Sequence, residues 1–161
     1  MKQKTLALLL KIAIISVLIC MGLVYCWIVP EVFGRPLAEA GDGEFAYLFP
    51  VWLTLISITA LPVLAALVLA WIVSHNIGND RSFCMANAKL LAAIAILIGA
   101  DVLYFFIANV VMMFCNANHP GVLLMSLIVC VVGTAMAVAA AALSHFIRKA
   151  AELQEQSDLT I

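Results

Sequence analysis

The sequence predicts an all-α polytopic membrane protein, a bundle of four transmembrane helices with both termini in the cytoplasm. Of its 161 residues, 66% are hydrophobic and only 11% are charged. A soluble domain is about 45–50% apolar and about 25% charged, so this chain has too much apolar surface to fold in water. The charged residues also lie in separate groups, and the uncharged stretches between them are long enough to cross a bilayer. The whole chain is expected to form a single membrane domain.

The first two predicted spans cover about residues 8–29 and 47–73. Apart from Lys11, whose long side chain can extend to the membrane surface, neither contains a charged residue. About 20 apolar residues suffice for a helix to cross the hydrocarbon core, and both segments reach that length. Lys2 and Lys4 before an apolar run resemble the start of a signal peptide, but the run is too long for one. A retained first helix is therefore expected.

The third and fourth predicted spans cover about residues 90–114 and 121–147. This region carries no charged residue except Asp101 and is too long for a single crossing. The polar residues, Pro and Gly within 116–121 indicate a turn that divides it in two. Residues 148–161, which contain charged residues of both signs, are predicted to form a cytoplasmic tail.

The distribution of Lys and Arg predicts the orientation. In a four-span arrangement, seven of the eight Lys and Arg residues lie on one side of the membrane, and only Arg35 lies on the other. The seven are Lys2, Lys4, Lys11, Arg81, Lys89, Arg148 and Lys149. Cytoplasmic segments are enriched in Lys and Arg, so this side is assigned to the cytoplasm. The chain is therefore predicted to be a multi-pass protein of the inner (plasma) membrane.

Asp101 is the one acidic residue within a predicted span. A charged side chain at the bilayer centre costs about 2.5–3.5 kcal/mol on insertion scales, and such residues often mark function. A rise of about 1.5 Å per residue places Asp101 near mid-membrane, where the sequence offers no Lys, Arg or His. An isolated buried carboxylate favours its neutral form. Asp101 is therefore expected either to be protonated or to lie in a wet cavity.

A protonated Asp101 could donate to hydroxyl groups on three helices. The expected acceptors are Thr59 and Thr134, at similar depth, and Tyr104, one turn along the same helix. Asn109, two turns further on, could extend this polar site or join helices. Three roles stay open for Asp101: a hydrogen bond between helices, a proton or cation site, or contact with a basic residue of another chain.

The fourth span contains a ridge of small residues at Gly133, Ala137 and Ala141. Small residues four apart allow two helices to approach closely. The ridge could pack inside the bundle or join two copies in a homo-oligomer. Internal packing is favoured, because each helix of a four-helix monomer needs a neighbour.

The loop between the second and third spans and the C-terminal tail are the main segments on the cytoplasmic side. Ser82 is expected to cap the third helix, and Phe83 is an apolar residue that could contact a partner. The tail ends in Asp158, Leu159, Thr160 and Ile161. Such a segment can be captured by a partner, although a frayed terminus is the simpler interpretation.

The sequence contains no recognisable catalytic constellation. It lacks H-E-x-x-H, G-x-S-x-G and a phosphate-binding glycine loop, and it has no Cys/His cluster with zinc spacing. No metal, no cofactor and no direct contact with nucleic acid are expected, and an enzyme is disfavoured. The five cysteines are expected to be buried small residues, except that Cys26 and Cys115 could form a disulfide near the outer face.

The pattern I-G-N-D-R-S-F-x-x-x-N-A-K-L-L from Ile77 to Leu91, together with the closing A-E-L-Q-E-Q-S-D-L-T-I, resembles a bacterial membrane family, domain of unknown function 2975. The resemblance covers nearly the whole chain, with a mild departure at Gln156-Ser157, where an acid and Asn are typical. It implies four membrane helices and no assigned activity. It also implies a genomic companion, a small Cro-like helix-turn-helix regulator. Phe83, Asn87 and the tail from Asp158 to Ile161 thereby become the expected partner-binding residues.

Two functions follow from these observations. The first is a regulatory or sensor protein whose loop and tail hold a small cytoplasmic transcriptional regulator near the membrane. The second is a small, transporter-like bundle that responds to protons or cations through Asp101.

Overall fold

The computed structural model describes residues 3–35, 39 and 47–158 and consists almost entirely of helix. Four helices follow one another in the chain, and no strand occurs within these ranges. They are α1 (Gln3–Leu23, continued as a π-helix over Val24–Gly34), α2 (Leu48–Gly78), α3 (Met85–Phe114) and α4 (Pro120–Asp158). All four are long and apolar enough to cross a membrane. The predicted all-α, four-helix membrane architecture is thereby confirmed.

Helices α2 and α3 end in the same backbone motif. The residues Asp80 and Asn116 have positive φ angles of 58° and 54°. Their N–H groups, and those of Arg81 and Ala117 after them, donate back to carbonyls of the last helical turn. The accepting carbonyls belong to Ile77 and Asn76 in α2 and to Met113 and Met112 in α3. This is the Schellman motif, in which the residue with positive φ is usually Gly or Asn. Asp80 therefore has a backbone conformation that Gly and Asn adopt more readily than Asp.

The starts of α3 and α4 differ in how they are capped. Cys84, in an extended conformation, precedes α3, and its side chain forms no capping hydrogen bond. The prediction that Ser82 caps α3 is therefore wrong, because its hydroxyl donates instead to Gln3 at the start of α1, at 2.8 Å. Helix α4 begins at Pro120, which has no N–H, and the imidazole of His119 accepts a hydrogen bond of 3.0 Å from the N–H of Gly121, the first N–H of the helix.

The helices pack in the order of the chain. α1 contacts α2, α2 contacts α3, and α3 contacts α4, whereas α1 and α4 do not contact each other at the described residues. The largest cluster of buried apolar side chains lies between α2, α3 and α4, in the half of the bundle that contains the α2–α3 loop. Its members are Ala66, Val73, Ala88, Leu91, Ile94 and Ile147. Most other apolar side chains are exposed, as expected for helices surrounded by lipid.

The small residues of α4 pack mainly inside the bundle. At Gly133 a Cβ atom would overlap a methyl group of Val102 on α3, so a larger residue would require the Val102 side chain or a helix to move. Further along the same face, the Ser144 hydroxyl donates to the carbonyl of Ala88 at 2.7 Å. Ala137 lies on this half-buried face, but Ala141 is exposed. The ridge thus supports the α3–α4 contact, and assembly of copies through it stays a prediction.

Helix α1 is fastened to α2 near the α2–α3 loop. The buried hydroxyl of Ser74 donates to the carbonyl of Ala7 at 2.9 Å. Gly78 allows the same close approach, because a Cβ atom there would lie 3.3 Å from that of Ala7. Nearby, the Lys11 ammonium lies 5.3 Å from the centre of the Trp71 ring. Lys and Trp side chains are both common at membrane interfaces, and this contact gives the Lys11 charge a partner on α2.

Candidate functional site

A cavity lies at the end of the bundle that contains the α2–α3 loop. This cavity, the loop groove, has a volume of about 880 Å³. Three chain segments line it: the start of α1, the loop with the adjoining ends of α2 and α3, and the last turns of α4. The lining residues are Gln3, Asn76, Asp80, Arg81, Ser82, Phe83, Cys84, Met85, Ala86, Ala151, Gln154 and Glu155. A volume of this size can hold a peptide segment or a small ligand.

Asn87 holds the loop groove in shape from below. Its side chain is fully buried, with 0% exposure. The amide nitrogen donates to the carbonyls of Arg81 and Ser82, at 2.8 and 3.1 Å, and the amide oxygen accepts from Asn76 at 2.8 Å. Asn87 was expected to contact a partner; the structure places it behind the loop, where its amide groups are already in use.

Phe83 lies on the open side of the loop groove and is 60% exposed. Around it, the side chains of Asp80, Arg81 and Glu155 are exposed, and none of the three forms an ion pair with another described side chain. The groove therefore combines an apolar anchor with free charges of both signs. Cores of interfaces are built on apolar or aromatic anchors surrounded by a polar rim, and this surface has that composition.

The C-terminal part of α4 forms one wall of the loop groove and continues beyond it. Within this part, Arg148 and Glu152 form an exposed ion pair of 3.0 Å. The helix ends at Asp158, whose side chain is not among those described. The other predicted tail contacts, Leu159, Thr160 and Ile161, lie outside the described residues.

A second polar site, the intramembrane cluster, contains Asp101, Tyr25, Thr59 and Tyr104. The hydroxyls of Tyr25 and Thr59 are hydrogen-bonded at 2.5 Å, which joins the π-helical continuation of α1 to α2. The Tyr104 hydroxyl donates to the carbonyl of Leu55 at 3.3 Å, which joins α3 to α2. Asp101 lies one helical turn before Tyr104 on α3, and a charge on it would act on the hydroxyls of both tyrosines, although no hydrogen bond joins it to either. Its Oδ1 atom is buried and forms no hydrogen bond with a described residue.

Two residues expected near Asp101 are engaged elsewhere. Thr134 is exposed, and its hydroxyl donates to the carbonyl of Cys130, one turn back in α4, at 2.7 Å. Asn109 is buried, donates to the carbonyl of Phe105 and accepts from Asn118 in the turn before α4. Asn109 therefore holds that turn in place and does not extend the intramembrane cluster.

Tyr25 and the α4 wall of the groove are the members that sequence reasoning missed. Tyr25 lies near the end of the first predicted span, where no motif marks it, and the structure pairs it with Thr59 of α2. The spacing of Ala151, Gln154 and Glu155 on one helical face was the available signal for the wall.

Within the described part of the chain, no three His, Cys, Asp or Glu side chains form a metal-binding group. Cys26 and Cys115 are exposed free thiols.

Comparison with known families identifies one match. The model of a family described as "Protein of unknown function (DUF2975)" matches residues 37–161. This region includes α2, the α2–α3 loop, α3 and α4, whereas α1 precedes it. The match confirms the family resemblance seen in the loop and tail. No curated protein and no solved structure matches the chain.

Proposed function

We propose that this chain, which belongs to the DUF2975 family of proteins of unknown function, has a regulatory role and not an enzymatic one. In this proposal it is a regulatory or sensor protein of the cell membrane that binds a small cytoplasmic transcriptional regulator in the loop groove. The observation that carries the proposal is the groove itself, an open cavity of about 880 Å³ with the exposed Phe83 on its open side. The helix-turn-helix companion implied by the family resemblance gives the class of partner.

The charges near the loop groove support a cytoplasmic position. Lys4, Arg81, Lys89, Arg148 and Lys149 all belong to the ends of helices, or to the loop, on the groove side of the bundle. Segments rich in Lys and Arg remain in the cytoplasm during insertion. A soluble regulator would therefore have access to the groove.

Binding at the groove would rely on Phe83 for affinity and on its charged neighbours for orientation. An exposed aromatic side chain that becomes buried in a partner is a common source of binding energy. The unpaired Asp80, Arg81 and Glu155 would each meet an opposite charge on the regulator, which favours one orientation. A regulator held in this way is kept at the membrane and away from its DNA sites.

Membrane fractionation of cells that contain both proteins tests this proposal. Phe83→Ala should move the regulator from the membrane to the soluble fraction, and so should deletion of residues 158–161 if the tail adds contacts. Phe114→Ala is the matched control, because Phe114 is 84% exposed but ends α3 on the opposite side of the bundle. Unchanged association of the regulator with Phe83→Ala membranes would contradict the role of the groove.

A second function, a small proton- or cation-responsive bundle that uses Asp101, is favoured by one observation. The buried Oδ1 atom of Asp101 has no hydrogen-bond partner among the described residues. Such an atom in a membrane protein points to an ion, a proton or a water molecule as its partner. Asp101→Asn should abolish any pH- or cation-dependent response of the protein in reconstituted vesicles, and a response that persists would reject this function.

A further inference from the structure

The hydroxyl groups of the intramembrane cluster have no hydrogen left to donate. Each hydroxyl carries one hydrogen. Thr59 uses its hydrogen on the carbonyl of Ile56, at 2.7 Å. In the bond between Tyr25 and Thr59, the tyrosine must therefore be the donor. Tyr104 gives its hydrogen to the carbonyl of Leu55. All three hydroxyls can then only accept a further hydrogen bond.

Asp101 therefore has no donor among these neighbours. An ionised carboxylate can only accept, and neither Tyr25 nor Tyr104 has a hydrogen to give it. A buried charged acceptor without a donor is strongly unfavourable. A protonated carboxyl group has one hydrogen of its own, and the oxygens of both tyrosines have lone pairs that can accept it. The hydrogen bonds around Asp101 thus match its neutral form and oppose its charged form.

No other charge near Asp101 changes this balance. The titratable groups that face it are Tyr25 on the continuation of α1 and Tyr104 on α3 itself. α2 contributes Thr59, which does not titrate, and the titratable group that α4 buries is the thiol of Cys130. Among the described residues of the four helices, no Lys or Arg lies at this depth. A carboxylate at Asp101 would have neither a donor nor a cation to stabilise it.

We infer that Asp101, Tyr25, Thr59 and Tyr104 form a proton-binding site, in which the hydrogen of the neutral Asp101 carboxyl is the donor that the three hydroxyls lack. When the proton is bound, the Asp101 carboxyl can turn to donate to the oxygen of Tyr25, which would join α3 to the continuation of α1; the described structure contains no hydrogen bond between Asp101 and either tyrosine. When the proton leaves, a carboxylate faces three acceptors and no such bond can form. The proton would be the ligand of the second function proposed above, and the cellular role of this site rests on that function. The site is separate from the loop groove.

Infrared spectroscopy of the full chain in nanodiscs at neutral pH tests this assignment, because a protonated carboxyl absorbs apart from a carboxylate. The chain has four Asp residues, and those other than Asp101 lie outside the candidate spans and are expected to be ionised. Carboxyl-labelled aspartate should therefore shift one protonated-carboxyl band, which Asp101→Asn should remove. The label identifies this band in the unaltered chain, so the test does not depend on folding of the variant. If no label-sensitive protonated band exists at neutral pH, Asp101 is ionised and the assignment is overturned.

Two further measurements test whether Tyr25 belongs to the site and whether the ligand is a proton or a sodium ion. Tyr25→Phe removes an acceptor, so the Asp101 band should move to higher frequency, whereas the control Tyr47→Phe, at a 66% exposed tyrosine, should leave it unchanged. An unmoved band in Tyr25→Phe would exclude the proposed cluster. Replacement of choline by sodium at constant pH should leave the band in place; its loss would assign the site to a sodium ion instead. None of these results depends on whether a regulator binds the loop groove.

Discussion

Replacement of Asn87 by Ala should destabilise the protein and open the loop groove. The side chain is fully buried and forms three hydrogen bonds of 2.8, 2.8 and 3.1 Å, two as donor and one as acceptor. At about 0.5–1.5 kcal/mol for each bond, their loss should lower the free energy of unfolding by about 1.5–4.5 kcal/mol. We expect a value in the middle of this range, because water can enter from the groove and pair with some of the freed groups.

Variants of neighbouring residues show how much each hydrogen bond of Asn87 contributes to the free energy of unfolding. Asn76→Ala removes only the bond between the two amide side chains, at 2.8 Å, and should cost about 1 kcal/mol. The double variant Asn76→Ala/Asn87→Ala should lose less stability than the sum of the two single losses, because both single variants remove the same bond. Asn79→Ala is the control, because Asn79 is exposed and its amide forms a hydrogen bond with His75; the effect should stay within about 0.5 kcal/mol.

The assay is reversible unfolding of the purified protein in mixed micelles, followed by circular dichroism as the denaturing detergent increases. The structural reasoning would be refuted if Asn87→Ala and Asn79→Ala had equal effects. In that case the loop would not depend on the amide of Asn87. The same preparations can be tested for regulator binding, which should weaken in Asn87→Ala because Phe83 and Arg81 lose their support.

Three other substitutions test the packing and the helix ends, all by the same unfolding assay. Asp80→Gly should stabilise the protein by up to about 1 kcal/mol, because glycine adopts the positive φ of this position without strain; Asp80→Ala should give no gain. Gly133→Val should destabilise it by about 1–3 kcal/mol, since the added atoms overlap a side chain of α3, whereas Gly22→Ala, with open space around it, should be tolerated. Ser144→Ala should cost about 0.6 kcal/mol, the average of interhelical hydrogen bonds in membranes, and a cost near zero would show that its bond to Ala88 adds no stability.

The helices could be predicted from the sequence because the length of an apolar stretch is a local property. Turn residues before Pro120 separated α3 from α4, and the small residue at Gly133 indicated a close helix contact. The direction in which each helix faces is harder to predict. In a soluble helix the apolar face marks the core, but lipid and protein interior are equally apolar, so this contrast disappears in a membrane.

The intramembrane cluster shows the consequence of this loss of contrast. Thr134 and Thr59 were both expected near Asp101 from their depth, yet Thr134 turned out to lie on the exposed side of α4. Tyr25 entered the cluster through its hydrogen bond to Thr59, because α1 is rotated so that this side chain faces α2. Ser82 failed as a cap because its hydroxyl found a partner in α1, a contact between segments far apart in the chain. Depth can be counted along a sequence, whereas rotation and distant contacts depend on the assembled structure.

The packing of each helix only against its neighbours in sequence bears on how the protein is made. Helices enter the membrane one after another during synthesis, starting from the N-terminus. Here α2 finds α1 already inserted, α3 finds α2, and α4 finds α3, and at the described residues no contact between first and last helix has to wait for the end. Each newly inserted helix can therefore bury its polar groups at once, including Ser74 against Ala7 and Ser144 against Ala88. The chain can assemble without an intermediate that leaves those hydroxyls unpaired in lipid.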